Sequence, residues 1–370
     1  MKPGSMRLNV AGAVVDGALV RGDVEVADGR IAGVGLATPG GGSGIAVPGF
    51  VDLQVNGFGG VDFLDADADA YRRAGSALLE TGVTAYLPTL ITSPEEQLLA
   101  AMREIPVNGS YPRVLGVHLE GPFLSPNRMG THTAAARRDP DAALLERLLD
   151  GGPVVLMTLA PELPGADELI RTLVARGVRV SLGHTDATAE QANRAFDLGA
   201  VTVTHLFNAM RPFRHRDPGV VGAALVRDGV IVQVIIDGIH LAPETVKLVW
   251  RSAAGRVSLV TDAITATGVS DDGSWSFGDF DVDIHDGEVR NPAGVLAGTT
   301  LTMVEAVRNL HGLGVPIEEA VAAATSVPAS VLGLPETGRL APGLPADVVV
   351  LTDDVEIERV LVAGEVQVAV

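Results

Sequence analysis

The chain reads as an α/β protein: a (β/α)8 TIM-like barrel with a small β-sandwich domain built from both chain termini. Two observations predict the barrel. Apolar, β-rich runs recur eight times, and segments rich in Ala, Leu, Glu and Arg with helical spacing lie between them. A third predicts the satellite: the two ends are rich in Val, Gly and Asp and lack this alternation.

The eight runs lie near Ile45 to Val55, Val83 to Leu90, Val114 to Leu119, Val154 to Leu159, Val178 to Leu182, Val201 to Leu206, Val230 to Ile236 and Val257 to Val260. Between them, Ala70 to Thr81, Ala142 to Asp150, Ala166 to Arg176, Thr188 to Leu198 and Pro243 to Ala254 carry helical patterns. A doubly wound open sheet is the alternative, but no Gly-rich dinucleotide fingerprint follows an early strand. Residues 6 to 45 read as short strands with turns at Asp16-Gly17 and Asp28-Gly29 and a Gly40-Gly41-Gly42-Ser43-Gly44 linker, and the tail from Ala346 reads likewise. The expected division is 1–45 with 341–370 as the small domain and 46–340 as the barrel. Trp275 to Val289 reads as a hairpin-like insertion after the last strand, with Asp286-Gly287 as its turn.

Composition narrows the function. Of 370 residues, 47% are hydrophobic, enough for a large core. The formal charge of −19 argues against nucleic acid or an anionic membrane as a bulk partner. A small anionic substrate stays possible where positive charge is concentrated, as at Arg211, Arg214, His215 and Arg216. There is no cysteine, so thiolate metal sites and disulfides are excluded, and no apolar run reaches the length of a membrane span. A cytoplasmic protein is the expectation.

Barrel active sites lie at the C-terminal ends of the strands. Here those ends read Gln54-Val55-Asn56-Gly57, His118-Leu119-Glu120-Gly121, Gly183-His184-Thr185, Thr204-His205-Leu206-Phe207-Asn208, Asp237-Gly238-Ile239-His240 and Thr261-Asp262-Ala263. Glu120, His184 and His205 supply one carboxylate and two imidazoles, a catalytic-type set for a divalent ion that leaves a position for water. One divalent metal per subunit is expected, zinc first and iron second. Asp262 would take a proton from that water and return it to a leaving group, unless it merely caps a helix before Ala263-Ile264. His118 shares a face with Glu120 and is read as supporting rather than ligating. His285 and His311 fall outside these segments, and Gly57, Gly59 and Gly60 read as a tight turn.

The segments PGFVDLQVNGFGGVDF, HLEGPFLSPNRMGTH, SLGHTDAT, VTHLFNAMRPFRHRDPG, DGIHLAP, LVTDAITATG and LAGTTLTMVEAVRNL resemble the amidohydrolase superfamily, and within it the N-acetylglucosamine-6-phosphate deacetylase family, in that family's order. The resemblance implies hydrolysis of the N-acetyl group of N-acetylglucosamine 6-phosphate to glucosamine 6-phosphate and acetate. It implies Glu120, His184 and His205 as metal ligands, Asp262 as general base and acid, and His132 as the group that polarises the acetyl carbonyl. Asn208, Ala209, Arg216 and His240 are implied as substrate and phosphate contacts, with Arg216 reaching across a homodimer. One departure stands out. Where many superfamily members carry His-x-His for a second metal, this chain has Gln54-Val55-Asn56, which points to the single-metal subtype, with Gln54 or Asn56 hydrogen-bonding the water. Lys2 and Lys247 are the only lysines, and neither suits a carboxylated bridging lysine. Two alternatives remain: deacetylation of another substrate such as N-acetylgalactosamine 6-phosphate, and an inactive sugar-phosphate-binding barrel.

Overall fold

The computed structural model describes residues 5–38, 41–106 and 112–369, so Lys2 and Gly40 lie outside the described residues. Eight parallel strands form the barrel: β1 (Phe50–Val55), β2 (Val83–Ile91), β3 (Val117–Glu120), β4 (Val154–Leu159), β5 (Arg179–Leu182), β6 (Thr202–Val203), β7 (Ile231–Val234) and β8 (Val257–Leu259). Each pairs with the next from β1 to β8. The seam between β8 and β1 closes just beyond the strands, through a Val55–Ala263 bridge and an Asp262 amide that donates to the Gln54 carbonyl at 3.0 Å.

Helices on the outer ring bury one face each. In Ala68–Glu80 the buried residues Ala70, Ala74 and Leu78 recur every four positions, and the Asp67 carboxylate caps the first turn by accepting from the Ala70 amide at 2.8 Å. Thr188 with Gln191, and Thr302 with Glu305, form reciprocal capping boxes at Ala189–Asp197 and Met303–Gly312. Helix Gly219–Val226 was not expected from the sequence. It is apolar on every side and buried throughout its first seven residues, so it shows no amphipathic period.

Three strand readings change. The run from Ile45 to Val55 is two strands: Ile45–Pro48 joins a satellite sheet and β1 starts at Phe50. Gly49 separates them, where any Cβ would lie 2.1 Å from the Thr84 hydroxyl oxygen. The run from Val114 to Leu119 breaks at Gly116, with φ +134°, before β3. β6 is two residues long, because the chain turns into left-handed geometry at His205.

The termini form a six-stranded sheet, in the order Glu365–Ala369, Ile357–Val362, Val348–Leu351, Ile45–Pro48, Gly12–Val15, Ala18–Arg21, and a three-stranded sheet of Ser5–Arg7, Asp23–Ala27 and Arg30–Leu36. The six-stranded sheet is apolar on both faces. Val348, Val350 and Leu361 pack inside the satellite with Val24 and Ile31, while Val349, Leu351, Val360 and Val362 join the barrel's core. The turns at Asp16-Gly17, Asp28-Gly29 and Asp286-Gly287 all have positive φ at both residues, the geometry that two-residue hairpins favour. The insertion after β8 is a three-stranded antiparallel sheet, Gly273–Phe277, Phe280–His285 and Glu288–Arg290. Gly59 and Gly60, at φ +60° and +82°, make the turn of a short hairpin between Gly57–Phe58 and Val61–Asp62. Among the described residues no helix is long and apolar enough to cross a membrane.

Asp52, fully buried on β1, fastens the seam from inside. Its carboxylate accepts from the Thr261 hydroxyl at 2.6 Å and from the Gln54 and Thr261 amides at 3.1 and 3.4 Å. Burial pushes this carboxyl up to about 7 from 3.8, against those hydrogen bonds. The native state therefore holds the proton more tightly than the unfolded chain. Stability from this group is complete below the unfolded value and is lost as pH rises toward 7, on the order of 4 kcal/mol over the window. Asp52→Asn removes the titration, so its Tm relative to the native chain should grow more favourable from pH 4 to pH 7. A Tm difference independent of pH would contradict this assignment.

Candidate metal centre

Glu120 ends β3, His184 follows β5 by two residues and His205 follows β6 by two. His184, His205 and Asp262 have φ of +47°, +30° and +53°, left-handed geometry that costs of order 1–3 kcal/mol per non-glycine residue. Surrounding hydrogen bonds hold these turns. The Ser125 amide donates to the His184 carbonyl at 2.9 Å, the Leu206 amide to the Gln233 carbonyl at 2.7 Å, and the Thr299 amide to the Asp262 carbonyl at 3.0 Å.

The result is a tight triangle. His184 Nε2 and His205 Nε2 lie 3.1 and 3.0 Å from Glu120 Oε1 and 3.2 Å from each other, and all three side chains are buried. His184 Nδ1 faces the Arg128 carbonyl at 3.0 Å, so Nδ1 carries the proton and Nε2 presents a lone pair. Lone pairs of two imidazoles and a carboxylate aimed at one point repel unless a cation sits among them, and the spacing suits ligands about 2.0–2.2 Å from one divalent ion. Burial alone would raise Glu120, yet its contacts with His184 and His205 hold it well below the usual carboxylate range. Burial alone would lower His205, and the Glu120 and Asp262 carboxylates instead raise it.

Asp262 faces this group from the seam. Its Oδ1 accepts from the Gln54 and Asn56 side-chain amides at 2.9 and 2.7 Å, which leaves Oδ2 outside these bonds. Burial, then the charge of Glu120, push it up to about 6, with His205 and the Asn56 amide opposing. No helix begins at Asp262, so the capping alternative falls away. Gln54 and Asn56 thus touch the acid through their NH2 groups, while their amide oxygens have no hydrogen-bond partner among the described residues.

His132 enters from the loop after β3. Its Nδ1 accepts from the Thr92 amide at 3.3 Å, which places the proton on Nε2, 3.2 Å from His184 Nε2. Burial, and then the neighbouring His184, lower it to about 3, so it remains a neutral donor. His118 lies below Glu120, between the hydroxyls of Thr89 at 3.3 Å and Thr158 at 2.7 Å, and is not a ligand. The chain of hydroxyls continues from Thr158 to Thr204 at 2.7 Å and on to Ser181 at 2.5 Å, tying β2 to β6 beneath the ligands.

A cavity of about 290 Å³ opens above the triangle. Asn56, Glu120, His132, His184, His205, Asn208, Ala209, His240 and Asp262 all line it. His240 is oriented by Asp237, whose Oδ2 lies 2.6 Å from its Nδ1. Gln54 does not line the cavity directly, and neither does Arg216, which is exposed with its guanidinium 2.8 Å from His215 Nε2. Arg211 is engaged by Asp217 at 2.7 Å and by Asp186 at 3.5 Å, so the expected positive cluster is partly neutralised. Sequence reasoning missed Ile91, Thr131, Phe277, Val295 and Leu296 on the cavity wall. Thr131 and Leu296 lie within the family-like segments but drew no role from their chemistry, and Ile91, Phe277 and Val295 are apolar residues whose strands and loops meet only in the fold.

The amidohydrolase family model matches residues 45–366. The chain belongs to the amidohydrolase family. Among curated relatives, the N-acetylglucosamine-6-phosphate deacetylase of Mus musculus is 41% identical over 344 residues, covering 88% of this chain and 83% of the relative. The N-acetylgalactosamine-6-phosphate deacetylase of Escherichia coli O157:H7 is 36% identical over 326 residues, 86% of each chain. Among solved structures, the N-acetyl-D-glucosamine-6-phosphate deacetylase of Mycobacterium smegmatis, an aspartate-to-alanine mutant in complex with N-acetyl-D-glucosamine 6-phosphate, superposes with a TM-score of 0.93 at 37% identity, covering 99% of this chain and all of that one. The Thermotoga maritima N-acetylglucosamine-6-phosphate deacetylase gives 0.91 at 34% identity over 99% of this chain and all of its own.

If the triangle binds the metal, Glu120→Gln should lower zinc affinity at least about tenfold, since even the loss of an outer-shell partner commonly costs 10–100-fold. Metal content after zinc loading and desalting measures this, and one ion per chain retained in the variant would count against the assignment.

Proposed function

We propose that this amidohydrolase removes the acetyl group of N-acetylglucosamine 6-phosphate by hydrolysis, giving glucosamine 6-phosphate and acetate. The observation that carries the reading is the meeting of the buried Glu120, His184 and His205 triangle, Asp262 and His132 in one small cavity of a chain 41% identical to a deacetylase of that name. The comparisons support the substrate, and the donor set supports a single divalent ion, for which zinc is our first choice and ferrous iron the second.

Bound by Glu120, His184 and His205, such an ion supplies Lewis acidity to the acyl oxygen and lowers the pKa of a water toward 7. The protein does the rest. His132 Nε2–H donates to the acyl oxygen as charge develops on it. Asp262 Oδ2 takes one proton from the attacking water and delivers it to the amide nitrogen as the C–N bond breaks. The fork of Gln54 and Asn56 holds Oδ1 and so fixes which oxygen moves the proton. Asn208, Ala209 and His240 face the sugar and its phosphate. Arg216, exposed and outside the lining of its own chain's cavity, suits a phosphate contact made across a homodimer. We place the chemistry in the barrel, residues 46–340 less the strand Ile45–Pro48 that the satellite sheet claims, and the scaffold in 1–45 and 341–370, in a cytoplasmic enzyme.

The deciding assay is acetate release by zinc-loaded protein from N-acetylglucosamine 6-phosphate, its unphosphorylated form and the galacto epimer phosphate. The gluco phosphate should be turned over fastest, and Asp262→Asn should keep its metal while losing about 10²–10⁴-fold in kcat. No acetate from any of the three would refute the reading, and preference for the galacto epimer would move the substrate to the alternative hexosamine. Arg216→Ala should raise KM for the phosphorylated sugar at least about tenfold and leave the unphosphorylated sugar unaffected. Equal losses on both would remove Arg216 from phosphate binding.

A further inference from the structure

The inserted sheet after β8 reaches the cavity. It places one aromatic ring, Phe277, on the wall of the catalytic cavity and locks the turn that carries it. The Ser276 carbonyl accepts from the Thr265 hydroxyl, just past β8. The Gly278 amide donates to the Asp62 carboxylate at 2.8 Å, just past β1. Phe277 is thus pinned on both flanks by two different barrel segments. Phe280 packs edge-on against its ring at a centroid distance of 5.5 Å, and Phe277 is only 3% exposed.

Beside it stands Ile91, the last residue of β2, 4% exposed and paired in register with Glu120. The turn rests on this side chain: a Cβ at Gly278 would lie 3.1 Å from Ile91 Cδ1. These two apolar residues therefore occupy the β1–β2 side of the cavity, next to the ligand carboxylate. The polar groups Asn208 and His240 occupy the side reached from β6 and β7. Resting on the deacetylase reading, the acyl carbon lies between the metal ligands and Asp262, and the amide nitrogen leads to a sugar phosphate that needs the polar side. The alkyl substituent of the acyl carbon is left facing the apolar side.

We propose that Phe277, backed by Ile91, is the specificity-determining wall for the acyl group, admitting a methyl and excluding longer chains. Both side chains are buried and held by packing on two or more elements, so the wall cannot yield to an added methylene without strain. Discrimination of about 10–200-fold per methylene is what such an apolar pocket provides. The insertion also ties down the loop that carries His132, because the Thr133 hydroxyl donates to the Asp279 carboxylate at 2.7 Å.

The test compares kcat/KM for the N-acetyl, N-propionyl and N-butyryl forms of glucosamine 6-phosphate in the zinc-loaded native chain, Phe277→Ala and Ile91→Val. Ratios between substrates within one variant are independent of the active fraction, so partial misfolding of Phe277→Ala does not blur them. The native chain should prefer acetyl over propionyl at least about tenfold and over butyryl more strongly. Phe277→Ala should shrink that preference about tenfold or more, and Ile91→Val by a smaller factor for propionyl. Acetyl turnover with unchanged ratios in both variants would overturn the acyl-wall role while leaving the deacetylase reading intact. No acetyl turnover by the native chain would overturn both.

Discussion

A carboxylate at the buried end of a strand has to find positive charge, and much of the barrel mouth is organised around that demand. Glu120 sits on β3 with the Nε2 atoms of two imidazoles 3.1 and 3.0 Å from its Oε1. The Arg128 carbonyl directs the His184 proton away from the carboxylate, so the attraction that remains is for a cation. Removing any of the three donors would leave the others as uncompensated polar groups in a low-dielectric pocket, the costly situation for buried charge.

That arrangement requires backbone that regular strands do not provide. His184, His205 and Asp262 all stand in left-handed geometry directly after their strands, where the chain turns the side chain over the barrel axis. Strain of this kind persists when the surroundings over-determine it. Here the surroundings are the hydroxyl chain from His118 through Thr158 and Thr204 to Ser181, and the Asp52–Thr261 fastening of the seam. The Thr261 hydroxyl also accepts from the Ala263 amide at 3.2 Å, so one hydrogen-bonded path runs from buried Asp52 around Asp262.

The acidic chain handles its charge locally. Asp262 has two side-chain amides on one oxygen, Asp237 is spent on orienting His240, and Asp186 and Asp217 engage Arg211. On the loop beyond β6, Arg214 and Arg216 are exposed and outside the cavity of their own chain. A net charge of −19 is thus compatible with an anionic substrate, because field strength at the site depends on the nearest groups rather than on the sum.

Much of this was legible in one dimension. Eight apolar runs, six of them ending in His, Glu, Asp, Gln or Asn, gave away the barrel and the polar strand ends among which Glu120, His184 and His205 meet, because strand period and strand end are local properties of the chain. The turns at Asp-Gly pairs were equally local. What the sequence by itself could not determine was which groups face each other across the axis. Asp52 in VDLQV looks like an interruption of an apolar strand, and only the β1–β8 seam shows it beneath Asp262. Nothing local in the sequence pairs Gln54 and Asn56 with Asp262, and the fold sets the NH2 groups of both amides on its carboxylate. Phe277 and Ile91 are 186 positions apart and carry no motif, yet a hydrogen-bonded turn sets them on one wall. Residue type and periodicity determine what a strand end offers, whereas convergence depends on closing the barrel, a long-range constraint that no window of sequence contains.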